Sequence, residues 1–252
     1  ADEDFQGDVE ELAALIHYPR ELWEELEYHE QQWLRVEAAA IVSTTAILTG
    51  RSAARKLGIW VIASTEEKIE VSLPSRGVSR SRMASGNYEF RHSHIQPRDV
   101  VMYEGHPVTS PIRTFIDIAR YHGFLEGLIA ADYLLRRGIE RSEILRGIQR
   151  MGRAKGIKTA RRCLEHAIPD SDSPYESLAR GLIIEAGIGP VQAQYKIGAY
   201  YVDLLIDTWL VIEIDGEKKY SGPDAEKVRQ DEFNRQKLIA NRGYVFLRYA
   251  PW

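Results

Sequence analysis

The sequence has little that would suit a membrane, an oxidising compartment or thiol chemistry. No run approaches the roughly 20 apolar residues that a membrane-spanning helix requires. The opening ADEDFQGDVEELAAL is acidic where a secretory leader is basic and then apolar, so export is not expected. The lone cysteine, Cys163, excludes an internal disulfide and suits a reducing compartment, the cytoplasm. It falls at helical spacing with Ala160, Leu164 and Ala167, which reads as a small packing residue, and His166 three residues on is a poor partner for a nucleophile. His92 and His94 share a strand face, but no third ligand stands at a suggestive distance, and no zinc site is expected there.

A strong charge of either sign is also missing: the net charge is −4, which by itself argues against a general nucleic-acid binder. Its distribution is uneven. Residues 1–40 hold 12 acidic and 2 basic side chains, so the rest of the chain is positive, and residues 136–162 hold 10 Lys or Arg against Glu140 and Glu143. That stretch makes a basic face available for phosphates, although charge runs are commonly plain solvated helix.

The pattern divides the chain into three parts. Residues 1–31 form an acidic segment that alternates apolar and acidic residues and predicts one or two amphipathic helices. Residues 32–168 mix helical candidates (Trp33 to Val42, Arg51 to Leu57 with a stop at Gly58) with strand candidates IWVIA, KIEVSL, YEFRHSH and DVVMYEG. Helices then follow from Ser110-Pro111, with Arg113 and Asp117 spaced as an ion pair, from Phe124 to Arg137, from Ser142 to Met151 and from Ile157 to Ala167. The polar, proline-flanked IPDSDSP marks a boundary. Beyond it, residues 171–252 read as α, β, β, β, α, β: a helix from Ser173-Pro174 to Gly187, strands VQAQYKI, YYVDLLI and LVIEID, a charged helix from about Pro223 to Asn241, and a last strand YVFLRY. The fold class is α/β, an N-terminal mixed α+β domain followed by an αβββαβ domain.

Carboxylates in apolar strands need an explanation, because an unpaired charge near a core is costly. Asp203 interrupts an apolar run, and Glu213 and Asp215 alternate with Ile212 and Ile214 on one strand face. A two-residue loop of Asp207 and Thr208 would put Asp203 on the opposite face, whereas an odd loop, Asp207-Thr208-Trp209, sets it across from Glu213. The odd loop is the expectation. Three carboxylates on one face would raise each other's pKa unless a cation joined them, and hard oxygen ligands without histidine or cysteine favour Mg²⁺ or Mn²⁺. Such an ion activates water and neutralises charge on a scissile phosphate, so phosphodiester hydrolysis fits.

These residues resemble the PD-(D/E)xK nuclease superfamily, and within it small domains similar to very-short-patch-repair endonucleases. The likeness runs over about 80 residues, from SPYESLARGLIIEAG through YVDLLIDTWLVIEIDGEKKY to RQDEFNRQKLIANRGYVFLRYAPW. It implies a restriction-endonuclease-like fold, Asp203 and Glu213 as the acidic pair, and Glu176 as the helix-borne glutamate completing the metal shell with Asp215. Where the family has lysine, two residues after Glu213, stands Asp215; Lys219, or Lys218, is then the cation that assists. The same Glu176 sits at capping-box spacing from Ser173, which explains it without a metal. Arg229, Arg235 and Lys237 on the charged helix are candidates for DNA phosphates.

LTGRSAARKLGIW and VTSPIRTFIDIAR resemble the region between a winged helix and a nuclease-like domain in actinobacterial AbiEi-type antitoxins. Together the two likenesses imply a Mg²⁺-dependent DNA endonuclease or nickase, in phage defence or repair, or a DNA-binding antitoxin or regulator whose nuclease-like domain has lost activity; RNA is the other substrate to weigh. DNA is the expected partner, with no membrane. The acidic segment leaves room for a protein partner, and nothing in the pattern opposes a homodimer.

Overall fold

The structure, a computed structural model, describes residues 8–43, 45–73, 87–91, 94–214 and 235–250. The acidic segment departs from its expected helices. Strands β1 (Val9–Ala13) and β2 (Ile16–Pro19) form an antiparallel hairpin, and among the described residues only α1 (Arg20–Glu24) is helical before the long α2 (Tyr28–Val42). The reversal runs through Leu15 at φ 66°. Tertiary ion pairs decide the outcome over local periodicity: Glu10 receives Arg20 at 3.3 Å and Arg35 at 2.8 Å, and the Arg20 N–H donates to Asp8 O. α2 begins earlier than its apolar pattern because Glu27 and Glu30 close a capping box around its first turn.

The next unit is a five-stranded sheet in the order β5-β4-β3-β7-β6 under a helical layer. β3 (Ile47–Leu48) pairs parallel with β7 (His106–Thr109), and β4 (Ile69–Ser72) parallel with β5 (Tyr88–Phe90); β6 (Val100–Tyr103) closes the edge against β7. The run IWVIA forms no strand. The Ile59 N–H caps α3 (Gly50–Leu57) through Ala54 O, and Trp60 packs edge-on against Tyr133, so the run is spent covering helices rather than extending the sheet. The helices α4 (Pro111–His122), α5 (Phe124–Arg136), α6 (Arg141–Arg150) and α7 (Ile157–His166) enclose one core around Phe115, Leu128, Ile144 and Leu164. Arg113 and Asp117 pair at 2.8 Å as their spacing predicts, and Cys163 is buried in that core.

Helix α8 (Pro174–Ala186) joins this layer to the last sheet. Ser173 caps it, Pro174 occupies its first turn, and Gly187 stops it at φ 63°. One side meets α5, where Arg180 pairs with the buried Asp132 at 2.7 Å and Gly181 lets Leu125 and Leu128 approach. The other side places Ile183 under Leu204, Ile206 and Ile212. The sheet runs β11-β10-β9-β8, with β8 (Val191–Ile197), β9 (Tyr200–Ile206) and β10 (Leu210–Ile214) antiparallel in turn and β11 (Val245–Tyr249) parallel to β10. Residues 235–240 are helical and put Ile239 on the opposite sheet face, with Leu205, Val211 and Phe246. Among the described residues no helix is long and apolar enough to cross a membrane.

Candidate active site

Three residues, Asp207 to Trp209, separate β9 from β10, with Asp207 at φ 51° and its N–H held by Pro190 O. The loop is odd. Ile206 pairs with Leu210, Leu205 with Val211 and Leu204 with Ile212, and one further step of that register sets Asp203 across from Glu213. The ladder does not take that step. Instead the Ile214 N–H donates to Asp203 Oδ2 at 2.7 Å, so a carboxylate fills the place of a main-chain acceptor where the strands part.

A second distortion lies on the other side of Asp203. Gln194 on β8 has φ 49°, and the register about it, Ala193 with Leu204 and Tyr195 with Val202, sets it opposite Asp203. Ala193 packs on the α8 face of the sheet, whereas Tyr195 packs with Ile239 on the other, so the pleat inverts at this residue. Gln194 Nε2 then donates to Glu176 Oε2 at 3.2 Å. The same oxygen accepts the Asp172 N–H at 3.0 Å, while the Glu176 N–H donates to Ser173 Oγ. The capping arrangement is thus offset, its carboxylate reaching Asp172 rather than the capping residue's own N–H. Burial pushes the Glu176 carboxyl above its ordinary pKa, the Asp172 N–H opposes this, and the charge of Asp203 adds to the rise. Glu176 and Asp203 therefore feel each other.

Glu213 is 2% exposed. Arg235, at the start of the described helical turn, holds its carboxylate at 2.6 and 3.3 Å and also donates to Tyr201 O. Next to Glu213, in parallel register, is Arg248, whose guanidinium forks onto the Gln236 amide oxygen at 2.8 and 3.2 Å. Lys237 is exposed. Asp215, Lys218, Lys219 and Arg229 lie outside the described residues, as does His92. Among the described residues no group of three histidine, cysteine, aspartate or glutamate side chains converges closely enough to hold a metal.

Sequence reasoning singled out Glu176, Asp203 and Glu213 as metal ligands and Arg235 for DNA phosphates, and gave no sign of Gln194 or Arg248 beside them or of the Arg235–Glu213 pair. A partner for Glu213 was the available signal, since a buried strand carboxylate demands one. A cleft of about 480 Å³ lies on the α8 face of the sheet, lined by Tyr175, Leu178, Ile212, Ile214 and Tyr249, and none of the candidate carboxylates is among its described lining residues. A larger one of about 720 Å³ opens between α4 and α6, and its described lining includes none of the candidate residues. Compared with protein-family models, curated proteins and solved structures, the chain matches none.

Proposed function

We propose that residues 171–252 form a divalent-metal-dependent endonuclease or nickase of the PD-(D/E)xK type, acting on DNA in the cytoplasm. The observation that carries this reading is the break in the β9–β10 ladder beyond Leu204 and Ile212, where the Asp203 carboxylate takes the Ile214 N–H and its charge reaches the buried Glu176. A sheet gains nothing in stability from opening its ladder around two carboxylates. The donor set is all oxygen, and the repulsion between Glu176 and Asp203 is of the kind a divalent cation relieves. Glu176, Asp203 and Glu213, which do not converge on one point by themselves, would have to draw together with Asp215 to hold Mg²⁺ or Mn²⁺. The bound ion would supply Lewis acidity toward a phosphate oxygen and a lowered pKa for water.

The chain's own groups do the rest. Asp203 is oriented by the Ile214 N–H and Glu176 by Gln194 and the Asp172 N–H. Arg235 neutralises Glu213, and its guanidinium would supply positive charge to a developing phosphate anion, a role also proposed for Lys219, which lies outside the described residues. The resemblance to very-short-patch-repair-like nucleases, and that of the N-terminal region to AbiEi-type antitoxins, supports a role in phage defence or repair.

One observation favours a second reading. With Glu213 already ion-paired to Arg235, the domain also suits a catalytically silent DNA-binding regulator or antitoxin. Incubating supercoiled plasmid with the protein in Mg²⁺, Mn²⁺ or EDTA separates the two. Metal-dependent nicking that is lost in Asp203→Ala and in Glu213→Ala supports the enzyme, whereas retention of intact DNA without cleavage supports the regulator.

A further inference from the structure

Residues 144–164 contain seven Lys or Arg and no Asp or Glu. They span the second half of α6, a six-residue turn and most of α7. Arg146, Arg150, Arg153, Lys155, Lys158 and Arg161 are all exposed, and among the described residues none of the six forms an ion pair; Arg162 alone in this run reaches an acid, Glu185 at 3.6 Å. Arg146 and Arg150 are four apart on α6, and Lys158 and Arg161 three apart on α7, the spacings at which like charges on a helix repel. Lys158 also stands in the first turn of α7, where the helix dipole disfavours a cation and where no acid balances it. Glu143 and Glu165 stand just outside the run on the same two helices, and among the described residues neither forms an ion pair with it, so the charges within it repel with little compensation.

The face is also held rigid. Arg120 Nε donates to Lys155 O at 2.8 Å, and Gly156, at φ 78°, lies so close to the Arg120 backbone that a Cβ would meet its carbonyl oxygen at 2.7 Å. Gly147 admits Ile112 in the same way, and Arg141 ties the start of α6 to Leu164 O and Ala167 O at the end of α7. The backbone that carries the six cations is thus held in one preformed α6–turn–α7 arrangement, without the ordering cost that flexible basic tails incur on binding.

We infer that the α6–turn–α7 face is a docking surface for the phosphate backbone of duplex DNA, presenting Arg146, Arg150, Arg153, Lys155, Lys158 and Arg161 to it. Charge complementarity calls for a polyanion; the choice of DNA rests on the nuclease reading of residues 171–252. Contacts of this kind position a duplex without reading its sequence. They concern binding and not the chemical step.

The test uses the full chain in EDTA, so that cleavage plays no part. Binding of a short fluorescent duplex is followed by anisotropy across a salt series for the wild type and for Arg150→Gln/Arg153→Gln/Lys155→Gln/Lys158→Gln, with circular dichroism as the folding control. The quadruple variant is expected to bind at least tenfold more weakly and to show a log–log salt slope shallower by up to about 3.6, at roughly 0.9 for each of the four phosphates no longer neutralised. Because no cleavage occurs in EDTA, this outcome does not depend on whether the protein proves to be a nuclease. An unchanged affinity and slope in the folded quadruple variant overturns the inference. So does wild-type binding to phosphatidylserine vesicles without binding to the duplex.

Discussion

Arg235 holds the carboxylate of Glu213 at 2.6 Å, on a strand where the acid is 2% exposed. Removing the arginine leaves a buried charge without this counter-charge. Arg235→Ala is therefore expected to cost about 3 kcal/mol, the lower end for breaking such a pair when one partner is partly solvated. In a chain of this size that lowers Tm by roughly 6–12 °C. Millimolar Mg²⁺ should recover part of the loss in Arg235→Ala and none of it in Arg235→Ala/Glu213→Gln. Scanning calorimetry with and without the ion measures both, and equal insensitivity of the two variants would count against a metal at Glu213.

Glu176 gives a pH dependence with a definite sign. Its folded pKa is raised by burial and by Asp203, so the folded state binds this proton more tightly than the unfolded chain does. The contribution to stability is present in full below the ordinary glutamate value of 4.5 and is lost as pH rises through the higher folded pKa. Glu176→Gln, which keeps an oxygen to accept the Asp172 N–H, should match the wild type in acid and exceed it in Tm near neutrality. Divalent cation should narrow that neutral gap by stabilising only the wild type. A variant less stable than the wild type at every pH contradicts the assignment.

The Asp132–Arg180 pair joins α5 to α8, with both side chains nearly inaccessible. Arg180→Met leaves Asp132 charged in an apolar setting and should cost about 3–5 kcal/mol, whereas Asp132→Leu/Arg180→Met should recover most of it. Chemical denaturation of the single and double variants tests this, and an additive pair of losses would contradict it.

Cys163 should be inert. Burial pushes its thiol up to about 12, and its Sγ–H donates to Phe124 O. Ellman's reagent is expected to label it only after unfolding. A Cβ at Gly127 would approach Cys163 Sγ and Ala119 Cβ at 2.7 Å, so Gly127→Ala should destabilise by about 1–3 kcal/mol through overpacking. Rapid labelling of the native protein, or a neutral Gly127→Ala, would show that α4 and α5 pack more loosely.

Much of this was legible in the sequence where one physical requirement was decisive. Placing Asp203 and Glu213 on one face required an odd loop, and period-two geometry left Asp207 to Trp209 as the natural one. Caps at Ser110 and Ser173 and stops at Gly58 and Gly187 marked helices to within a residue or two. What escaped depended on distant partners. The β1–β2 hairpin is held by Arg20 and Arg35, outside its own local pattern. Ile59 and Trp60 look like strand residues until α3 and Tyr133 are there to receive them. Gln194 carries no local signal for φ 49°, and nothing in the spacing of Arg235 says that it turns inward to Glu213.

The central claim is that Asp203 and Glu213 organise a metal-dependent phosphodiesterase, and the strand-cleavage rate of the Asp203→Asn variant tests it most directly. The substitution keeps the shape of the side chain and an oxygen for the Ile214 N–H while removing the charge. With Mn²⁺ and supercoiled plasmid, the wild type should nick DNA in a reaction abolished by EDTA, and folded Asp203→Asn should nick at least 100-fold more slowly, on the order of 3 kcal/mol of lost transition-state stabilisation. Equal rates in the two proteins, or nicking that persists in EDTA, would contradict it.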